Sequence, residues 1–147
     1  GLVEPVTTNS PGVPVTLSVR EVVTAGEYGV VRRANQLQQA KKQGWSVTGW
    51  EYCIETACGE MAFAKASDQF WSGGVAGHKV KVRQSHSHPL VVSEDEIRNS
   101  EASVRFVLVT GECPDFVVRG WVTGEEIQKR EELVEGKYTI PQERLRL

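Results

Sequence analysis

The clearest periodicity in the chain is a stripe of apolar positions that recurs at steps of three and four residues behind Thr48. Thr48 and Glu51 have the spacing of a capping box, in which the hydroxyl accepts from the third helical amide and the carboxylate reaches back to the cap. The stripe predicts a helix that runs to about Asp68 and packs one face on a core. Its positions are Trp50, Ile54, Ala57, Met61, Ala64 and Lys65.

A similar box upstream, Ser18 with Glu21, predicts an earlier helix. Gly26 and Gly29 weaken the helical propensity of its middle, and Gly44 is expected as its C-cap. The segment is therefore predicted to form one broken helix or two short ones. The apolar stripe of its second half consists of Val30, Ala34 and Leu37.

From residue 79 onward the period changes from helical to alternating, which is typical of strands. Residues 79–83 alternate cations with valines, and residues 90–92 are predicted to return as the partner strand after a turn at 85–89. Residues 105–110 and 116–122 are predicted to form a second hairpin.

A third capping box, Thr123 with Glu126, predicts a short helix to about Glu132, and residues 138–147 return to an extended pattern. The order of elements predicts an α+β, or mixed α/β, domain. In it the N-terminal helices pack on a mostly antiparallel sheet of four to five strands.

The length of 147 residues fits a single domain, residues 1–147. Residues 1–14 contain three prolines and are expected to form an extended N-terminal arm. Hydrophobic residues make up 39% and charged residues 24%, which is typical of a globular domain. No apolar run reaches the roughly 18 residues of a spanning helix, so no membrane partner is expected.

Charge is distributed unevenly along the chain, although the net charge is only -2. Residues 1–91 hold 9 basic and 7 acidic residues, whereas residues 92–147 hold 8 basic and 12 acidic residues. Residues 28–50 and 69–93 contain basic residues and no acid, so they are the candidate phosphate-facing surfaces. The acidic C-terminal half is the candidate surface for a protein partner.

Three cysteines, Cys53, Cys58 and Cys113, cannot all pair within one chain, and none forms a CxxC motif. Cys53 and Cys58 lie about 140° apart around the predicted helix, so a disulfide between them is not expected. This usage favours a reducing compartment and a cytoplasmic location.

Familiar catalytic signatures are missing from the sequence. It contains no GxGxxG after a strand, no GxxxxGK[ST], no HExxH and no GxSxG. The sequence therefore does not indicate the best-known dinucleotide-binding, P-loop, zinc-protease or hydrolase classes.

Two carboxylates on the helix predicted behind Thr48, Glu55 and Glu60, form the first candidate site. Glu60 is predicted to lie where the helix meets the strand that carries Lys81 and Arg83. A carboxylate at such a border could hold a divalent metal or orient water beside a phosphate. The alternative is a structural glutamate paired with a basic residue.

A second candidate is a metal site formed by His78, His86 and His88, because residues two apart on a strand share a face. The alternative is that these histidines are solvated in an exposed turn.

The third candidate is electrostatic. Lys79, Lys81 and Arg83 alternate along one strand, so they would stand about 7 Å apart on one face, near the spacing of nucleic-acid phosphates. Arg32 and Arg33, in the other acid-free stretch, are further candidates for nucleic-acid contact. Phe70 and Trp71 could stack on bases. The alternative is a solvent-exposed sheet edge.

A resemblance is carried by six runs of residues over roughly 17–147. They resemble a family of small uncharacterised phage-encoded proteins and, more remotely, the PD-(D/E)XK nuclease-like superfamily. The runs are WEYCIETACGEMAFAK, FWSGG, VKVRQ, VRFVLVTG, FVVRGWVTGEE and IPQERL.

The nuclease resemblance implies a divalent metal, Mg²⁺ or Mn²⁺, held by carboxylates beside the scissile phosphate. It places Glu60 or Glu55 as the helix carboxylate, and Arg83 where the terminal lysine of the third motif stands. Lys81 occupies the place of an acid in that motif, and no Asp precedes it after Gly74, so catalysis is expected to be degenerate.

The leading functional hypothesis is therefore a phage-type nuclease-like domain that acts on or binds nucleic acid in the host cytoplasm. The alternative is a non-enzymatic phage protein that binds a host protein, in counter-defence or host take-over.

Overall fold

The computed structural model of the chain describes residues 12–43, 49–68, 80–86 and 89–147, with the backbone alone at 42 and 43. Its elements, in chain order, are β1 (Val13–Thr16), α1 (Val19–Gln43), α2 (Trp50–Ala66), β2 (Val80–Ser85), β3 (Leu90–Ser93), α3 (Glu94–Arg98), β4 (Arg105–Glu112), β5 (Asp115–Thr123), α4 (Gly124–Arg130), β6 (Leu133–Val134) and β7 (Lys137–Ile140). A 3₁₀ turn, Gln142–Arg144, follows β7.

The strands form two sheets. The larger sheet has the order β1-β5-β4-β2, in which β2 and β4 are parallel and the other neighbours antiparallel. The smaller sheet is antiparallel, with the order β3-β7-β6. The predicted α+β class and mostly antiparallel pairing are confirmed. The described strands divide into sheets of four and three, however, instead of one sheet of four to five.

The predicted hairpin between residues 79–83 and 90–92 is wrong. β2 pairs in parallel with β4, whereas β3 pairs with β7, with Leu90 opposite Ile140. Parallel neighbours need a crossover connection, and β3 with α3 forms part of the segment that makes it. The side chains of Leu90 and Val92 are fully buried, because the smaller sheet covers the larger one.

Two apolar cores lie on opposite faces of the larger sheet. On the first face, Ala57, Cys58 and Ala62 of α2 pack near Val107 and Val109 of β4. The second face is covered by the smaller sheet, α3 and α4. The second core consists of Leu90, Val92, Ile97, Val104, Phe106, Leu108, Val122, Ile127, Tyr138 and Ile140.

Two of the three predicted capping boxes are confirmed. The Ser18 backbone N–H donates to Glu21 Oε1 at 2.8 Å, and the Glu21 N–H donates to Ser18 Oγ at 3.2 Å. Thr123 caps α4 in the same way with Glu126, although α4 ends at Arg130, before the predicted end. Thr48 and Gly44 lie outside the described residues, and α2 ends at Ala66.

Helix α1 is one continuous helix of 25 residues, so the predicted break near Gly26 and Gly29 is wrong. Gly29 faces α2, where an added Cβ would lie 2.6 Å from the Ile54 Cα. On α2, a Cβ at Gly59 would lie 2.8 Å from the Gln84 Cβ. The two glycines therefore let the backbone of α2 pack closely between α1 and β2.

The predicted N-terminal arm ends in β1, which pairs with β5 so that Val13 lies opposite Val118. Residues 1–11 lie outside the described part of the chain. Among the residues that are described, no helix is long and apolar enough to cross a bilayer.

The two glycines of α1 make a matched pair of tests. Gly29→Ala should destabilise the fold by about 1 to 3 kcal/mol, because the new methyl group would press on backbone atoms of α2. Gly26→Ala should stabilise it by about 0.5 to 1 kcal/mol, because a Cβ at Gly26 meets nothing within 4 Å and alanine favours the helix. Urea denaturation measures both values, and equal effects of the two changes would contradict the close packing at Gly29.

Candidate functional site

Side chains from α1, α2, β2 and α3 meet at the β2 edge of the larger sheet. We call them the charged cluster, and it consists of Arg32, Glu60, Lys81, Arg83 and Glu96. Glu60 follows Gly59 on α2, so the close packing of α2 on β2 brings its carboxylate to this edge. Arg32 Nη2 lies 2.5 Å from Glu60 Oε2. The Glu60 side chain is only 17% exposed, so this ion pair is largely shielded from water.

The strand cations point toward α3. Because side chains two apart on a strand share a face, Lys81 and Arg83 stand side by side. Arg83 forms an ion pair with Glu96, and Lys81 Nζ lies 4.0 Å from the same carboxylate. Lys81 also donates to Ser100 Oγ at 2.9 Å, and Ser100 Oγ donates to the Glu96 carbonyl at 2.7 Å. One carboxylate therefore faces two of the cations that were predicted to contact phosphate, Lys81 and Arg83.

Burial controls the protonation of the cluster. It raises the pKa of Glu60 above its ordinary value of 4.5, and the positive charges of Arg32 and Arg83 offset this only in part. Burial likewise lowers the pKa of Arg83 below its ordinary value, against the opposing influence of Tyr52 and Glu60. Arginine remains protonated at neutral pH in any protein, so Arg83 keeps its charge.

Of the residues predicted from the sequence, Glu60, Lys81, Arg83 and Arg32 come together in the charged cluster. Arg33 lies on α1 beyond it, with its guanidinium carbon 5.5 Å from the ring centroid of Trp50. Lys79, His78, His88, Phe70 and Trp71 lie outside the described residues.

Glu55 points away from Glu60, toward the turn between β4 and β5, where its Oε2 accepts from the Cys113 N–H at 3.2 Å. His86 lies at the end of β2, and its Nδ1 is 3.7 Å from Glu112 Oε2. Glu55 and His86 border an open cleft of about 450 Å³. The cleft is lined by Glu51, Tyr52, Glu55, Gln84, Ser85 and His86.

The donor set of the charged cluster does not fit a divalent metal. Mg²⁺ takes six oxygen ligands and Mn²⁺ favours similar donors, but Glu60 and Glu96 each face an arginine. In the ranges that the structure describes, no group of three or more His, Cys, Asp and Glu side chains is placed to share an ion. The three-histidine hypothesis stays a prediction, since only His86 belongs to those ranges.

Sequence periodicity did not reveal Glu96 of the charged cluster or Ser100 beside it, because no element was predicted for residues 93–104. A local signal was present: Ser93 stands three residues before Glu96, which is the spacing of a capping box. In the structure Ser93 Oγ accepts from the Glu96 N–H at 3.2 Å and caps α3.

Neither a family model, nor a curated protein sequence, nor a solved structure matches the chain.

The raised pKa of Glu60 predicts a pH effect on stability. The folded state holds this proton more tightly than the unfolded state, so the contribution of Glu60 to stability should fall as pH rises above about 4.5. Glu60→Gln removes the titration. The stability advantage of the wild type over this variant should therefore shrink between about pH 4.5 and neutral pH, as measured by urea denaturation across that range.

Glu21 and Glu126 should change the free energy of unfolding with pH in the direction opposite to Glu60. Hydrogen bonds from Lys65 and Arg146, respectively, lower their pKa values, so their stabilisation is lost as pH falls. The wild type and Glu60→Gln both contain Glu21 and Glu126, so the effects of these two groups cancel when the stabilities of the two proteins are subtracted. An advantage of the wild type that grows with pH would instead mean that the arginines lower the pKa of Glu60.

Proposed function

We propose that the chain is a nuclease-like domain of phage type that binds nucleic acid at the charged cluster without cleaving it. The observation that carries this proposal is the composition of the cluster, in which three cations meet two carboxylates. The charged cluster therefore has a net charge of one positive unit at the β2 edge of the larger sheet. Of the residues that the nuclease resemblance places at its catalytic centre, Glu60 and Arg83 belong to this cluster, whereas Glu55 does not.

The environment of Glu60 supports binding over cleavage. In a metal-dependent nuclease the helix carboxylate would be a free ligand, whereas here it pairs with Arg32. Lys81 adds a positive charge where the resemblance expects a second acid, and a cation at that place repels a divalent metal. The cluster attracts anions and lacks the ligands to activate water.

Lys81 is the side chain that a phosphate would reach first. It is 37% exposed, and its separation of 4.0 Å from Glu96 is the longest ion-pair distance in the cluster. Arg83 also forms an ion pair with Glu96, and its side chain is 35% exposed. Cations two apart on a strand are spaced by about 7 Å, close to the repeat of a nucleic-acid backbone. Phosphates would therefore compete with Glu96 for these two residues.

Glu96→Gln tests the competition, because it removes the carboxylate that opposes Lys81 and Arg83. We expect it to tighten binding of a short single-stranded DNA by about 1 kcal/mol, roughly fivefold, in fluorescence anisotropy at low salt. Lys81→Gln should weaken binding and reduce the dependence of affinity on salt. The matched control is Glu94→Gln, which removes the same charge from α3 at a residue paired with Arg98.

Equal effects of Glu96→Gln and Glu94→Gln would show that only net charge matters and would contradict a site at Lys81 and Arg83. Absence of binding by both the wild type and Glu96→Gln at low salt would reject nucleic acid as the ligand. Strand cleavage by the wild type with Mg²⁺ or Mn²⁺ would reject binding without catalysis.

The second candidate function, binding of a host protein, is favoured by a surface on α1. Val23, Val30 and Leu37 are spaced by seven residues, so they lie on one side of the helix, and they are 54%, 44% and 41% exposed. Trp50 adds an exposed ring beside Arg33. Arg33 and the exposed Lys41 border this stripe, which fits a partner with an apolar helix and acidic flanks.

Ion pairs within the acidic C-terminal half offset part of its negative charge. Many of its carboxylates form ion pairs with basic residues of the same half. These pairs are Glu94 with Arg98, Glu125 with Lys129, Glu126 with Arg130 and Glu131 with Arg144.

The double change Val30→Gln and Leu37→Gln tests the stripe without charging it. If a host protein docks there, its capture from host lysate should fall at least tenfold, since two apolar contacts of about 1 kcal/mol each are lost. The control is Val91→Gln on β3, at a residue 40% exposed. Equal capture by the stripe variant and this control would place the partner elsewhere.

A further inference from the structure

Two cysteines from distant parts of the chain are in contact where α2 meets the turn between β4 and β5. Cys58 is fully buried on α2, and Cys113 lies in the turn between β4 and β5, where it is partly exposed. Their Sγ atoms are 3.5 Å apart. The sequence did not reveal this contact, because 55 residues separate the two positions.

The turn that carries Cys113 is fixed against α2 by a second contact. The Cys113 N–H donates to Glu55 Oε2, and Glu55 stands three residues before Cys58 on the same side of α2. On the other side of the turn, the Leu17 N–H donates to the Pro114 carbonyl at 2.9 Å. The backbone around Cys113 is therefore held by α2 and by the segment after β1, and its thiol is kept beside Cys58.

We propose that Cys58 and Cys113 form a reversible intramolecular disulfide when the protein meets a hydroperoxide. Cys113, the more accessible thiol, is oxidised first: its sulfur attacks the peroxide O–O bond and becomes a sulfenic acid, and one water or alcohol leaves. The Cys58 sulfur then attacks the sulfenic sulfur and releases water. In total, two thiols and one hydroperoxide give one disulfide, one water or alcohol from the first step and one water from the second. These two products carry away the two thiol protons.

The surroundings of Cys58 and Cys113 make this oxidation slow, unlike that of the activated cysteine of a peroxide-reducing enzyme. Burial raises the pKa of Cys58 to about 12, and burial also raises the pKa of Cys113. Only the thiolate is a strong nucleophile, so a small fraction of the protein reacts at any moment. The short distance between the sulfurs favours the second step, because the buried Cys58 then meets its partner without a diffusive search.

The bond would tie α2 to the β4–β5 turn. Both elements border the first core, and the cross-link would close a loop of 55 residues in the unfolded chain. Such a constraint raises the melting temperature of the oxidised form, provided that the native geometry accepts the bond. The inference does not depend on nucleic-acid binding, because neither cysteine belongs to the charged cluster.

The test is treatment of the native protein with hydrogen peroxide, followed by alkylation of remaining thiols and mass spectrometry of peptides. We expect a monomer that has lost two hydrogens, a peptide pair linked through Cys58 and Cys113, and Cys53 recovered in alkylated form. The melting temperature of this form should rise by several degrees, and dithiothreitol should reverse both changes.

Cys53→Ser is the matched control, since it removes the third cysteine and should leave the disulfide unaffected. Cys113→Ser should abolish the disulfide and leave Cys58 alkylatable once the protein is denatured. The proposal is overturned if Cys58 and Cys113 both remain alkylatable after oxidation, if the main product links two chains, or if Cys113 stops at the sulfinic acid. Each of these three outcomes is measured on the wild type and on Cys53→Ser. The test therefore stays decisive even if Cys113→Ser folds poorly.

Discussion

The close packing of α2 between α1 and β2 is the constraint on which the rest of the structure depends. It is possible because Gly29 and Gly59 leave no side chain where the backbones approach. Glu60, the residue after Gly59, is thereby placed beside Arg32 of α1 and close to Arg83 of β2. The same packing buries these charges in part, so the way they pair affects the stability of the edge.

Local signals in the sequence predicted much of the fold. Capping boxes at Ser18 and Thr123 located two helix starts. Alternation located β2, and apolar runs on either side of a turn located β4 and β5. The partner of β3 was missed, because an apolar strand can join any sheet edge and only tertiary packing selects β7. The unbroken course of α1 was missed for a related reason: tertiary packing at Gly29 outweighs its low helical propensity.

The candidate site was predictable in part. Helical and strand periodicity were enough to place Glu60 near Lys81 and Arg83, but not to reveal that Glu96 faces both cations. That contact depends on the crossover that carries α3 over β2, and residue spacing does not encode it. The contact of Cys58 with Cys113 is long-range in the same way.

The most direct test of the account is chemical-shift mapping by NMR, in which a short single-stranded DNA is titrated at low salt into protein labelled with ¹⁵N. We predict that the largest shifts fall on β2 and α3, around Lys81, Arg83 and Glu96, and that they disappear as salt is added. Shifts confined to α1, or spread over the surface without a maximum at this edge, would contradict the assignment of the charged cluster as the binding site.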